Sequence, residues 1–141
     1  MRAYELLESN HSSHQITQQD LDTLETELDK LYSVLGLDVE FTRHFLDRVN
    51  DARNKRQISI EELYKLFKEE LKVYGKKIAQ AGPDFEAVMN DMSTALNVPF
   101  ILKWNKQKEE LDLIAKTVMR KDPFMSSDPK LVVGLTSKKR N

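Results

Sequence analysis

Two periods of apolar residues organise the chain. Leu21, Leu24, Leu28, Leu31 and Leu35 recur at spacings of three and four behind Thr17, which has Asp20 three residues on, and Gly36 follows as a stop. This predicts a first helix with a narrow apolar stripe and acidic flanks. Leu37, Val39 and Phe41 then alternate with Asp38 and Glu40, a short strand. Thr42 is placed to cap a helix from Arg43, which sets His44 and Arg48 one turn apart on one face and Phe45, Leu46 and Val49 on the other. A polar connection, residues 50–57, carries Arg53, Lys55 and Arg56, and Ser59 with Glu62 makes a capping box. From there Leu63, Leu66, Phe67, Leu71, Tyr74 and Ile78 form one side of a long helix, interrupted at Gly75 and ended near Gly82. Pro83 reads as the start of another helix, with Phe85, Val88, Met89, Met92 and Leu96 inward.

The period then falls to two. Phe100, Leu102 and Trp104 alternate with Ile101 and Lys103, and after a polar turn residues 111–120 are again extended, which predicts a hairpin. Pro99, which has no N–H to donate, marks a strand start or an edge. Leu111, Leu113, Ala115, Thr117 and Met119 share one face of the second strand; Asp112, Ile114, Lys116, Val118 and Arg120 share the other. Asp122-Pro123 breaks that strand, and residues 131–133 supply a last short one before the basic Lys138, Lys139 and Arg140. The expected architecture is α+β, a helical layer packed on a small antiparallel sheet built around the C-terminal hairpin. Residues 1–15 read as leader and linker, 16–125 as a single domain and 126–141 as a C-terminal tail.

At 141 residues and 40% apolar side chains, the chain has one core's worth of material. The absence of cysteine excludes disulfides, thiolate metal sites and cysteine nucleophiles. No apolar run approaches the roughly 20 residues of a membrane span, so no membrane partner is expected. The net charge of −1 hides an asymmetry, because residues 1–40 carry two basic and nine acidic side chains and the remainder twenty and fourteen. Cationic potential therefore belongs to residues 41–141 and suits a phosphate-bearing partner, although most of these lysines would serve as ordinary solvated faces. The acidic first helix is free to pack on the domain, to lie across the basic surface or to meet a partner helix; packing is the simplest.

Phosphate-cradling glycine loops, zinc motifs, nucleophile elbows and calcium loops do not occur. His11 and His14 lie in a polar linker with no ligand partner at suitable spacing, so no metal or cofactor is assigned. Glu61-Glu62 and Glu69-Glu70 are sequence neighbours that diverge by about 100° on a helix, hence solvent-facing charge. What remains is a metal-independent phosphate site, with His44, Arg48, Lys116 and Arg120 in catalytic roles and Arg53, Arg56 and Lys103 binding phosphate. RNA cleavage needs little more, since the ribose 2′-hydroxyl is an internal nucleophile, histidine moves protons near neutral pH, and cations stabilise charge building on phosphorus. The competing reading pairs Arg48 with Asp47, Asp51 or the acidic helix and leaves His44 hydrogen-bonded at the core edge.

Two resemblances add to this. The run Phe41-Thr-Arg-His-Phe-Leu-Asp-Arg48, a polar loop, Ile58-Ser-Ile-Glu-Glu-Leu63 and a hairpin ending in Ile114-Ala-Lys-Thr-Val-Met-Arg120 resembles small domains of large tailed phages and the broader RelE- and BrnT-like toxin class. That resemblance implies helices bearing His and Arg on an antiparallel sheet and action on RNA, with His44, Arg48, Lys116 and Arg120 as an endoribonuclease set; residues 83–96 are an addition to the pattern. The stretch Met1-Arg-Ala-Tyr-Glu-Leu-Leu-Glu8 is similar to the capsid-targeting leader of T-even-type phage internal head proteins, with Leu6 and Glu8 fitting the Leu-x-Glu site of a prohead protease. The two together imply a protein packaged in the virion interior, trimmed after Glu8 and delivered into the host cytoplasm to act in host takeover. A non-enzymatic inhibitor of a host protein and a virion structural component stand as alternatives.

Overall fold

In the computed structural model residues 14–134 are described. Leu6, Glu8, His11 and the basic residues 138–140 lie outside the described residues.

The chain forms an α+β fold in which helices cover one face of a six-stranded sheet made of β1 (Leu37–Phe41), β2 (Glu86–Asp91), β3 (Leu96–Asn105), β4 (Glu110–Ala115), β5 (Met119–Arg120) and β6 (Lys130–Val133); the order is β1-β4-β3-β2-β6, with β5 pairing on the end of β3. Helix α1 (Gln18–Tyr32) starts as the sequence predicts: the Thr17 hydroxyl accepts the Asp20 N–H at 3.1 Å and the Asp20 carboxylate accepts the Thr17 N–H at 2.9 Å. It buries Leu21, Leu24, Leu28 and Tyr32, and a 3₁₀ turn (Ser33–Leu35) closes it at Gly36, whose φ of 74° is left-handed. Strand β1 (Leu37–Phe41) follows, with Leu37 and Val39 inward.

Helix α2 covers only Phe45–Val49, a shorter element than the histidine helix expected from Arg43. Thr42 does not cap it; its hydroxyl donates instead to the Lys116 carbonyl at 2.7 Å. Asn50 ends it, because its side chain accepts the Ile16 N–H (2.9 Å) and donates to the Ile16 carbonyl (2.8 Å), tying the chain to the approach of α1.

Helix α3 (Ile60–Ala81) opens with the Ser59/Glu62 capping box and ends at Gly82. It runs through Gly75 without interruption. A Cβ there would sit 2.9 Å from Leu35 Cδ1, so the glycine lets the 3₁₀ turn approach the helix rather than breaking it. Tyr32, Phe41, Phe45 and Phe67 join α1, β1, α2 and α3 in one aromatic cluster, with Phe41 and Phe45 ring centres 4.5 Å apart.

The helix expected from Pro83 is absent. Residues Glu86–Asp91 form β2, and β3 (Leu96–Asn105) pairs with it antiparallel, Val88 opposite Pro99. Ala87, Val88, Met89, Asn90 and Asp91 are all buried, so both faces of β2 are covered and its sequence shows no alternation. The hairpin of β3 with β4 (Glu110–Ala115) is as the sequence predicts. The expected run 111–120 divides, however: after Ala115 the chain leaves the sheet and rejoins it as β5 (Met119–Arg120). Pro99 is interior to β3, and its carbonyl accepts the Lys116 N–H, so its missing N–H faces the stretch where β4 peels away. Two pairings make the sheet mixed rather than antiparallel, β1 with β4 and β2 with β6 (Lys130–Val133). The sheet thus draws on residues beyond 125. No helix among the described residues is long and apolar enough to cross a membrane.

Candidate functional site

The short α2, the 50–57 connection and the stretch 116–122 that leads from β4 through β5 enclose a hollow of about 1060 Å³. His44, Arg48, Arg53, Arg56, Lys116 and Arg120 all line it, so residues up to 76 positions apart converge as the sequence reading requires. Lys55 and Lys121 join them without having been singled out as phosphate ligands. Lys103 does not. It projects from β3 and pairs with Asp84 at 2.9 Å, outside the hollow. Acidic α1 packs on β1 and α3 and contributes no lining residue, so it packs on the domain rather than covering the cations.

The cations differ in what holds them. Arg120 forms a bidentate pair with Glu62 (2.9 and 3.1 Å) and also donates to the Thr94 and Gln57 carbonyls at 2.9 and 3.1 Å. Its side chain is only 10% exposed, and its backbone N–H donates to Asn54. This is a strut that ties β5 to the first turn of α3: both Nη atoms are engaged and Nε is buried without a partner, so the catalytic role expected for Arg120 is not one its geometry offers. Burial raises the Glu62 carboxyl, but Arg120, the Ser59 N–H and Arg56 outweigh it and hold it below the usual carboxylate range.

Arg53 grips Asp51 through Nε and Nη2, the shortest contact being 2.8 Å, and Arg48 reaches the same carboxylate only at 3.7 Å. Hydrogen bonds from Arg53 hold the Asp51 carboxyl down to about 2. Arg56 meets Glu62 at 3.4 Å, and Lys116 meets Glu86 at 2.6 Å. Two carboxylates are therefore shared among four guanidiniums. His44 is exposed, and no hydrogen bond reaches its imidazole among the described residues. Seven Lys and Arg side chains line the hollow against two carboxylates, and counting Glu62 and Glu86 as reaching partners leaves an excess of three positive charges. Exposed pairs of this kind contribute little and are readily exchanged for a phosphate, which guanidinium binds in the same bidentate manner.

Two of the glutamates expected to face solvent do not. Glu62 is bound as described. Glu70 is fully buried under α3, with no hydrogen bond of good geometry to either oxygen, and burial pushes its carboxyl up to about 9. Asp91 and Glu69 add to that rise, and the nearby Asn90 N–H opposes it. No signal in the sequence separates Glu70 from its half-buried neighbour Glu69 beyond its place on the stripe of Phe67, Leu71 and Tyr74. Comparison with family models, with curated proteins and with solved structures finds no significant match to this chain.

Proposed function

We propose that this is an injected phage internal head protein whose ribonuclease-derived domain seats an RNA backbone in the basic hollow. The observation that carries the reading is the convergence of unpaired His44 with Arg48 and Lys116 in one open hollow of excess positive charge. Lys55, Arg53, Arg56 and Lys121 would track successive phosphates, and Arg120 would only hold the wall. In cleavage, His44 takes the proton of a ribose 2′-hydroxyl as its oxygen bonds to the adjacent phosphorus. The P–O5′ bond breaks, the 5′-oxygen takes a proton from solvent, and the products are a cyclic phosphate and a 5′-hydroxyl. Arg48 and Lys116 stabilise the equatorial oxygens meanwhile. The leader at residues 1–8 supports packaging, and a chain beginning at Ser9 in purified particles is the expected mass-spectrometric result.

The test is incubation of the protein with end-labelled RNA in the presence of a chelator. Cleavage that disappears in His44→Ala and weakens in Arg48→Ala supports the reading; unchanged RNA refutes the catalytic step. A second reading, a non-enzymatic binder of a host protein, is favoured by one feature: five of the seven hollow cations already hold carboxylate partners. It predicts intact RNA together with a stoichiometric host-protein complex lost on charge reversal at Lys121.

A further inference from the structure

The far end of β4 from the hollow carries chemistry that the function above does not use. Parallel pairing sets Asp38 of β1 directly beside Asp112 of β4, and Glu110, two residues before Asp112, points to the same face of the sheet. One carboxylate oxygen from each of these three residues lies within 4.8 Å of the others. Proximity of acids is common on protein surfaces and would mean little alone. Asp112 is different, because it is only 6% exposed and its Oδ1 is shut off from solvent without a hydrogen-bond partner. Its Oδ2 accepts from the Asn105 amide at 3.2 Å, which holds the carboxylate in place within the three-acid cluster while Oδ1 stays unsatisfied. Glu110 Oε2 is likewise shielded and unpartnered.

The obvious counter-charge is occupied elsewhere. Lys103 lies across the ladder from Asp112, yet its ammonium pairs with Asp84. Burial, Asp38 and Asp112 raise the Glu110 carboxyl and outweigh the attraction of Lys108. A buried anionic oxygen without a partner is unfavourable, and a cation of high charge density is the group that satisfies several at once.

We propose that Asp38, Glu110 and Asp112 form a binding site for a hard divalent cation, with Ca²⁺ preferred. All donors are carboxylate oxygens, the ligand set of Ca²⁺ and Mg²⁺ rather than of zinc or copper. Ca²⁺ accepts irregular sets of carboxylate oxygens at about 2.4 Å and completes its shell with water, which suits three carboxylates held by two neighbouring strands. Mg²⁺ demands near-octahedral geometry at about 2.1 Å and gives up its waters reluctantly, so it suits such a set less well. Three protein ligands leave the remaining positions to water, which places the affinity on the order of 10⁻⁴ M. The ion would crosslink edge strand β1 to β4 and is separate from the RNA hollow, since none of the three residues lines it.

The experiment is calorimetric titration of the whole chain with CaCl₂ and, separately, MgCl₂ at 0.15 M KCl, with thermal melts at 5 mM of each. One saturable Ca²⁺ site, a rise in Tm with Ca²⁺ and loss of both in Asp112→Asn support the proposal. Asp38→Asn, at a half-buried position, should weaken binding about tenfold and decides the matter if Asp112→Asn does not fold. Absence of saturable binding, or binding unchanged in the folded variant, overturns it. A response to Ca²⁺ and Mg²⁺ that persists in both variants also overturns it, since that is ordinary screening of an acidic surface.

Discussion

Glu70 gives the sharpest energetic test of the fold. Its carboxyl titrates at about 9 in the folded chain against an ordinary 4.5, because burial under α3 disfavours the charged form. The unfolded chain therefore releases this proton first as pH rises. The stability associated with Glu70 is complete below pH 4.5 and is lost progressively as pH climbs toward 9, at about 1.4 kcal/mol per pH unit. At pH 7 that amounts to about 3 kcal/mol, a large share of the 5–15 kcal/mol typical of a domain. Glu70→Gln keeps the shape and removes the titration, so urea unfolding of both proteins at pH 5, 6, 7 and 8 should show curves that nearly meet at pH 5 and separate steadily, the variant becoming the more stable. Any new hydrogen-bond mismatch of the amide shifts the variant by a constant and leaves the divergence untouched. Glu25, raised to about 7, and Asp29 and Glu40, raised to about 6, bend both curves equally. Parallel curves across this range would mean that Glu70 is ionised in the fold and that the burial argument is wrong.

Arg120→Ala leaves Glu62 without its main partner in a largely buried position and should cost about 3 kcal/mol in urea unfolding; pairing it with Glu62→Gln should recover a substantial part. Asn50→Ala removes two hydrogen bonds to Ile16 and should cost about 2 kcal/mol by the same measurement, with increased amide exchange at the start of α1. Thr17→Ala, which breaks the capping box, should cost about 1 kcal/mol in a thermal melt. If the hollow tracks RNA phosphates, Lys55→Ala with Lys121→Ala should lower the salt dependence of RNA affinity by about 1.4 in log–log slope without touching the cleavage step, as anisotropy titrations would show.

What was legible in the chain and what was not separate along one physical line. Caps and stops are local, so Thr17/Asp20, Ser59/Glu62, Gly36 and Gly82 could be placed from neighbours alone, and the β3–β4 hairpin is local enough to follow. In residues 85–96 burial on both faces of β2 removes alternation, and the apolar residues that remain satisfy helical spacing; only pairing with β3 and β6 decides for a strand. The site followed the same division. The cations of the hollow cluster in sequence around α2, and alternation along β4 brought Lys116 and Arg120 into consideration, yet the partner that retires Arg120 lies 58 residues away in Glu62. The acid edge was invisible for a stronger reason. In the sequence Asp38 is one polar alternate of a short strand and Asp112 one of the residues on the second face of the hairpin; only parallel pairing between β1 and β4 sets the two side by side. Charge that reads as solvation in one strand becomes mutual repulsion across two, and such repulsion is what a bound cation would relieve.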